Sequence, residues 1–151
     1  MENLVSNGIA RTLKKTFSRE TGISLDIQAN PKTIWELLTN APNYPNWNTT
    51  IVSINGNISK GGKIQLISKL DPKRVFKLSI LDFEPEKLLS WGDALGKRVF
   101  TLLPNSKGSV NFTMIEKIGG PLFPLFAKMI PSFDASFEQF SKDLKLEAEK
   151  K

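Results

Sequence analysis

Cysteine and histidine are both absent from this chain of 151 residues. Without thiols it can form no disulfide, and without imidazole it can build neither a Ser-His-Asp triad nor a histidine-ligated metal site. A phosphate loop is missing too: Gly56 and Gly61 have Walker A spacing, but Gly62 stands where that loop needs lysine. We therefore expect no metal, no cofactor and no assignable catalytic residue.

Long apolar runs are also absent. The first seven residues contain no apolar stretch typical of a secretory signal, and no run of 18 apolar residues occurs. Hydrophobic residues make up 40% of the chain and charged residues 24%, a balance typical of a globular domain. We expect one domain with a single core, located in the cytoplasm.

Positive charge is concentrated in one segment. The formal net charge is +6, and Lys60–Lys77 contains six cations against one acid, Asp71. Such a segment is either a solvated hairpin or a surface for transient contact with an anionic membrane. Phe76 is its only aromatic residue, so the segment offers few side chains on which nucleic-acid bases could stack. We therefore expect no nucleic-acid partner.

Alternating residues and turn residues predict an antiparallel sheet. Apolar and polar residues alternate from Ile23 to Gln28, and Asn30-Pro31 then reads as the cap and first residue of a short helix. Pro42 and Pro45 limit that helix and leave room for a turn or a second short helix. With six further strands separated by Gly/Pro turns, the predicted strands lie near 23–29, 51–57, 63–69, 75–83, 87–92, 97–103 and 109–118.

Apolar residues near the end of the chain recur at helical spacing. They step by three or four from Phe126 to Leu144 and predict a long helix, which Pro131 divides into pieces at 122–130 and 133–148.

The beginning of the chain looks separate from this pattern. We predict that residues 1–20 are an N-terminal extension and that 21–151 form the ligand-binding domain. Within the extension, Ile9, Leu13 and Phe17 recur every four residues, which fits a short amphipathic helix.

Several short motifs match a known superfamily. Ile27–Trp35 is similar to its strand-to-helix opening, Asn43–Asn48 resembles its Y-P-x-W-N turn, and Leu89–Gly92 resembles its mid-sheet tryptophan. Phe100–Leu102 and the strand ending in Glu116 also fit. Over about residues 22–148 the chain thus resembles the START-related SRPBCC superfamily, whose members include polyketide cyclase/dehydrase-like proteins.

The resemblance implies an α+β helix-grip fold. In that fold a curved antiparallel sheet of about seven strands wraps around a long C-terminal helix, with two short helices after the first strand. Members of the superfamily bind lipids, sterols, polyketides, quinones or hormones, and some are enzymes. The helix-grip fold leaves a gap between sheet and helix, where such a ligand would lie.

Candidate ligand contacts are the aromatic side chains and the few polar ones that strand alternation turns inward. Glu116 shares a face with Phe112 and Met114, while Arg98 shares one with Phe100. For both charged residues, contact with solvent or with an ordinary ionic partner is the alternative, and for the aromatic set it is a filled core. The predicted ligand-binding residues are Trp47, Trp91, Arg98, Phe100, Phe112, Met114, Glu116, Phe126, Met129, Phe133 and Phe137.

Three functions are compatible with these patterns. The first is binding of a small hydrophobic molecule, such as a lipid, quinone or polyketide-like compound, by a carrier or sensor. The second is a cyclase or dehydratase using the same cavity, and the third is an interaction module docking through the basic hairpin. Gly119-Gly120-Pro121 also suggests a hinge, so residues 119–131 are a candidate lid. The patterns leave the oligomeric state open.

Overall fold

Eight antiparallel strands form one open sheet in residues 7–150, the part of the chain that the computed structural model describes. In spatial order the strands are β1, β2, β8, β7, β6, β5, β4 and β3. Their bounds are Arg11–Lys14 (β1), Ser18–Ile27 (β2), Ile51–Gly56 (β3), Lys63–Ser68 (β4), Phe76–Glu84 (β5), Leu88–Gly92 (β6), Gly96–Pro104 (β7) and Val110–Gly119 (β8).

The helices lie in two groups, one between β2 and β3 and one after β8. They are α1 (Pro31–Thr39), α2 (Tyr44–Trp47), α3 (Phe123–Phe126) and α4 (Asp134–Ala148), with 3₁₀ turns at Ala41–Asn43 and Ala127–Met129. The predicted α+β helix-grip architecture is confirmed, with eight strands instead of about seven. None of the helices in residues 7–150 is both long and apolar enough to cross a membrane.

Local sequence signals explain where the helices begin and end. Asn30 caps α1, because its side-chain oxygen accepts a hydrogen bond from the Thr33 amide at 2.8 Å. Pro131 separates the Ala127–Met129 turn from α4, as proline cannot continue a helix. The predicted division of the C-terminal helical region is therefore confirmed.

The helix predicted from Ile9, Leu13 and Phe17 is wrong. The chain there forms β1, which pairs with β2, and β2 itself begins at Ser18. A spacing of four residues is also a multiple of two, so it fits one face of a strand as well as one face of a helix. Residues 1–6 lie outside the described residues, and a domain boundary at residue 20 stays a prediction.

The core lies between the inner face of the sheet and α4. Phe137, Phe140 and Leu144 of α4 are buried against sheet residues such as Phe100 and Phe112. The rings of Phe100 and Phe140 lie 5.8 Å apart, and those of Phe100 and Phe112 lie 6.2 Å apart. Burial of each such side chain contributes about 1.5–3 kcal/mol, which fixes α4 on the sheet.

Candidate ligand-binding site

A cavity of about 210 Å³ lies between the sheet and the segment that precedes α4. Its wall includes inner-face side chains from β4 to β8, namely Leu66, Ser68, Phe76, Leu78, Trp91, Arg98, Glu116 and Ile118. The lining also contains Leu70, Asp71, Arg74, Gly92, Asp93, Leu95, Gly96 and Lys97. A short stretch of chain covers it, with Met129, Ile130, Pro131 and Phe133. The lining is mainly apolar with a few polar groups, which is the usual make-up of a small-molecule pocket.

The strongest polar feature of the wall is an ion pair between neighbouring strands. Arg98 and Glu116 stand opposite each other in the β7–β8 register, and Arg98 Nε donates a hydrogen bond to Glu116 Oε1 at 2.6 Å. Each side chain is only 17% exposed. A charge-assisted hydrogen bond in such a sheltered place is stronger than one at the surface.

Aromatic rings of α4 cover the guanidinium of Arg98. Its Cζ lies 4.9 Å from the centre of the Phe137 ring and 5.9 Å from that of Phe140. Among residues 7–150, Glu116 is the only hydrogen-bond acceptor that the structure gives this guanidinium. Its other N–H groups therefore remain available to a molecule in the cavity.

Trp91 supplies the largest apolar surface of the wall. It stands opposite Arg98 in the β6–β7 register, so the indole and the ion pair form one row across three strands. Its ring packs edge-on against Phe100, with ring centres 4.9 Å apart. The row places a flat apolar surface beside a charged pair.

Arg19 holds the cover of the cavity in place. Its side chain is buried, and its two terminal nitrogens donate to the backbone carbonyls of Ile130 at 3.1 Å and Pro131 at 2.8 Å. Its Cζ also lies 4.7 Å from the centre of the Phe133 ring. The cover is thus attached to the start of β2 by one side chain.

The charge of Arg19 is maintained in spite of its burial. Desolvation lowers the pKa of the guanidinium, while the carboxylates of Glu116 and Asp134 act in the opposite direction. An arginine still stays protonated in proteins. The two carbonyls therefore accept their hydrogen bonds from a cation.

Strand β1 is also tied to the last helix. Thr12 Oγ1 donates to Asp134 Oδ1 at 2.5 Å and lies 2.9 Å from Thr21 Oγ1. The Ala10 amide donates to a carboxylate oxygen of Glu138 at 3.0 Å. These contacts fix the beginning of α4, next to the cover, against the edge of the sheet.

The candidate hinge contains two glycines, Gly119 and Gly120, each of which is required for a different reason. Gly120 adopts a φ of +139°, which a larger residue rarely takes. A Cβ on Gly119 would lie 2.5 Å from the carbonyl oxygen of Phe17. The backbone at this point is tightly fitted to the β1–β2 turn, and opening of residues 119–131 as a lid stays a prediction.

Five of the eleven predicted ligand-binding residues line the cavity. They are Trp91, Arg98, Glu116, Met129 and Phe133. Met129 stands at the opening with 80% of its side chain exposed, and the others lie deeper.

The other six predicted residues do not line the cavity. Phe100, Phe112, Met114 and Phe137 are buried in the packed core beneath it, with at most 1% exposure. Phe126 packs against Phe123 outside the cavity, with ring centres 5.6 Å apart. Trp47, the sixth, lies against Tyr44 and Phe140 under α4.

The cluster around Trp47 is mainly apolar and contains two polar groups, the Tyr44 hydroxyl and the Trp47 indole N–H. The Tyr44 hydroxyl donates to the Leu38 carbonyl at 2.7 Å, and burial raises the pKa of this phenol although Arg98 opposes the shift. The indole N–H of Trp47 is buried and finds no hydrogen-bond partner in residues 7–150. Tyr44 therefore stays protonated and fixes the end of α1.

A larger but shallower groove, of about 650 Å³, lies on the outer face of the sheet. It runs from Phe17 past Leu95 to Val99 and Ile115, and none of the eleven predicted residues lines it. The groove is open to solvent, so we place the candidate site in the smaller inner cavity. In the described part of the chain, no group of three or more acidic side chains is arranged to hold a metal ion.

Comparisons by sequence find no relative: neither a family model nor a curated protein matches the chain. Comparisons by structure find many. A START superfamily protein from Mycobacterium smegmatis superposes with a TM-score of 0.62 at 15% identity, over 87% of this chain and 97% of that one. Norcoclaurine synthase from Thalictrum flavum superposes with a TM-score of 0.63 at 15% identity, over 91% of this chain and 99% of that one.

A third similar structure belongs to a conserved protein of unknown function from Enterococcus faecalis. It has a TM-score of 0.65 at 19% identity and covers 90% of this chain and 74% of that one. At identities of 15–19%, this similarity shows a shared fold only. The eight-stranded sheet packed on α4 and these superpositions agree that the chain has a START-like helix-grip fold.

Proposed function

We propose that this protein binds a small, mainly apolar molecule with one polar end, and that it acts as a carrier or sensor of that molecule. The observation that supports this most is the inner cavity, whose apolar wall contains a single sheltered ion pair, Arg98–Glu116. An apolar ligand part would lie against Trp91 and Phe133, while its polar end would meet the ion pair. The predicted cytoplasmic location stays part of the proposal.

The size of the cavity limits what can enter. A cavity of about 150 Å³ holds a benzene molecule, and drug-sized ligands occupy about 300–1,000 Å³. The 210 Å³ found here therefore suits a single ring with a few substituents or a short chain. A quinone or polyketide-like ring system fits this description better than a whole lipid, which would require the Met129–Phe133 cover to move.

The ion pair also restricts the chemistry of the polar end. Free N–H groups of Arg98 would donate to a carboxylate, phenolate or carbonyl oxygen, and Glu116 would accept from a hydroxyl. A ligand that carries both an acceptor and a donor at one end would use both residues. We therefore favour hydroxylated aromatic carbonyl compounds or small aromatic acids as the ligand class.

An enzymatic role in the same cavity is the second candidate. It is favoured by the position of Glu116, a sheltered carboxylate within reach of any ligand there. A cyclase or dehydratase would need this group to accept or donate a proton. Glu116→Gln that binds ligand normally but forms no product would identify such a role.

A thermal-shift screen tests the binding proposal. Aromatic acids, hydroxylated aromatic ketones, quinones and fatty acids are added to the purified protein, whose carried ligands are first sought by native mass spectrometry. A ligand at about 100 times its Kd adds roughly 2.7 kcal/mol of stability, which is about 5–10 °C in Tm. Absence of any shift across all four classes would contradict the proposal.

A pair of variants locates the binding site. Arg98→Met removes the proposed anchor, and Lys107→Met removes a cation from the exposed β7–β8 turn. We expect acid binding to weaken at least about tenfold in Arg98→Met, which removes a charge-assisted hydrogen bond, and to stay unchanged in Lys107→Met. Equal affinity in both variants would place the site elsewhere.

A further inference from the structure

Exposed apolar side chains collect at one end of the sheet. Antiparallel order brings the segments 15–17, 69–75, 93–95 and 120–133 to this end, which we call the open end. Seven of the thirteen large exposed hydrophobic residues within 7–150 belong to it: Phe17, Leu70, Val75, Leu95, Leu122, Leu125 and Met129. The turns at the opposite end, 57–62, 85–87 and 105–109, contain none of the thirteen.

Four of these side chains line the two cavities. Leu70, Leu95 and Met129 line the inner cavity where it meets solvent, and Leu95 also lines the outer groove together with Phe17. Leu95 therefore connects the linings of the two cavities at this end of the sheet. Leu125 and Met129 are 79% and 80% exposed, so they contribute almost nothing to the core. Exposed apolar side chains grouped at one end of a molecule in this way mark a docking surface.

The same end carries a positive charge. Its segments contain five cations, Lys15, Lys69, Lys73, Arg74 and Lys128, and two acids, Asp71 and Asp93, for a net charge of +3. One of the acids is already engaged, because Asp93 Oδ1 accepts hydrogen bonds from the amides of Leu95 at 2.9 Å and Gly96 at 3.1 Å.

The cations of Lys60–Lys77 are divided between the two ends. Lys60 lies in the β3–β4 turn and Lys63 begins β4, whereas Lys69, Lys73 and Arg74 follow β4 and Lys77 lies on β5. Lys63 and Lys69 stand at the two ends of β4, six positions apart, which corresponds to about 20 Å of extended chain. Only the second group adjoins the exposed apolar residues.

We propose that the open end docks on an anionic lipid bilayer, with the inner cavity facing the membrane. The apolar side chains would enter the boundary between headgroups and acyl chains, and the surrounding cations would contact anionic headgroups. Docking of a second copy of the chain fits less well, since it would bring +3 against +3. In the docked state an apolar ligand would pass between cavity and membrane without crossing water.

Flotation with lipid vesicles tests the proposal without any ligand. The full chain is mixed with phosphatidylcholine vesicles that contain either about 30% phosphatidylserine or none, at about 50 mM salt. We expect binding to the anionic vesicles only, weakening as the salt concentration rises.

Paired variants separate the docking end from the rest of the surface. Leu125→Ser/Met129→Ser should reduce the partition coefficient at least about tenfold, whereas Leu103→Ser, at an exposed site on β7, should not change it. Lys73→Gln/Lys128→Gln should reduce it about tenfold or more, against a smaller change for Lys60→Gln/Lys107→Gln at the opposite end. All these sites are exposed, so unchanged Tm values verify the fold.

Several outcomes would overturn the proposal. The first is no binding to anionic vesicles at low salt, and the second is an equal loss of binding in the open-end variants and their controls. The third is a concentration-dependent dimer that Leu125→Ser/Met129→Ser abolishes while vesicles bind nothing, which would make the open end a contact between copies. A failed flotation would leave ligand binding in the thermal-shift screen unaffected, so the two proposals fail separately.

Discussion

Replacing Glu116 with glutamine keeps the shape of the cavity wall but removes the charge that faces Arg98. An exposed ion pair contributes about 0–1 kcal/mol, and breaking a fully buried one costs about 3–5 kcal/mol. The pair here is 17% exposed on each side, so it lies between these cases. We expect Glu116→Gln to lower the free energy of unfolding by about 2 kcal/mol, or about 4–8 °C in Tm.

An exposed pair on the other face of the sheet serves as the control. Lys97 Nζ lies 3.0 Å from a carboxylate oxygen of Asp82, and these side chains are 47% and 39% exposed. We expect Lys97→Gln to cost less than about 1 kcal/mol, because solvent screens the interaction. Urea denaturation of both variants gives the two free energies directly.

Replacing both members of the sheltered pair separates stability from binding. Arg98→Met/Glu116→Leu substitutes apolar groups of similar size, and such replacements are often neutral or stabilising. We expect this double variant to be more stable than Glu116→Gln and to bind the polar-ended ligand much more weakly. A cost below about 0.5 kcal/mol for Glu116→Gln would refute the stabilising role of the pair, and normal ligand affinity in the double variant would refute its role as an anchor.

Three further results are expected. Arg19→Met removes the hydrogen bonds that hold the cover, so amide hydrogen exchange should speed up more in 119–131 than in α4. An equal change of the exchange rate in both segments would show that Arg19 does not hold the cover. Phe112→Ala should lower the free energy of unfolding by about 3–5 kcal/mol without changing ligand affinity. Phe133→Ala should lower it less and should change the affinity. The reverse pattern would place the binding site in the core. Hydrogen bonds from the side chains of Ser90 and Lys97 lower the pKa of Asp82 below its ordinary 3.8. Its stabilising contribution is therefore present above that pH and is lost as the pH falls through the lower folded-state pKa. Tm measured against pH should fall less steeply below about pH 4 in Asp82→Asn, and identical curves would contradict this role.

The sheet could be predicted from the sequence because strand alternation and turn residues are local signals. Seven strands were expected close to their observed positions, and Pro131 correctly ended one helical segment. The first strand was missed because Ile9, Leu13 and Phe17 fit both periodicities. Local spacing alone cannot choose between them when the deciding factor is a partner strand, here β2.

The cavity was harder to predict because periodicity gives the face of a side chain and not its depth. Phe112 and Glu116 share the inner face of β8, yet one is in the packed core and the other in the cavity wall. The pairing of Arg98 with Glu116 depends on the register of β7 and β8, which is a property of the whole sheet. The sequence patterns assign no role to Arg19, although its parity with Ile23 places both on one face of β2.

The pairing of β2 with β8 has a consequence for how the molecule forms during synthesis. Leu25 faces Phe112 across this pair, and Arg19 reaches carbonyls 111 and 112 residues further along the chain. While the ribosome makes β3 to β7, the edge of β2 that pairs with β8 has no partner. The sheet can be completed only once β8 has emerged, and the cavity can be closed only after residue 131. Such distant pairing slows folding, so nascent chains must keep Ile23 and Leu25 from aggregating until β8 has been made.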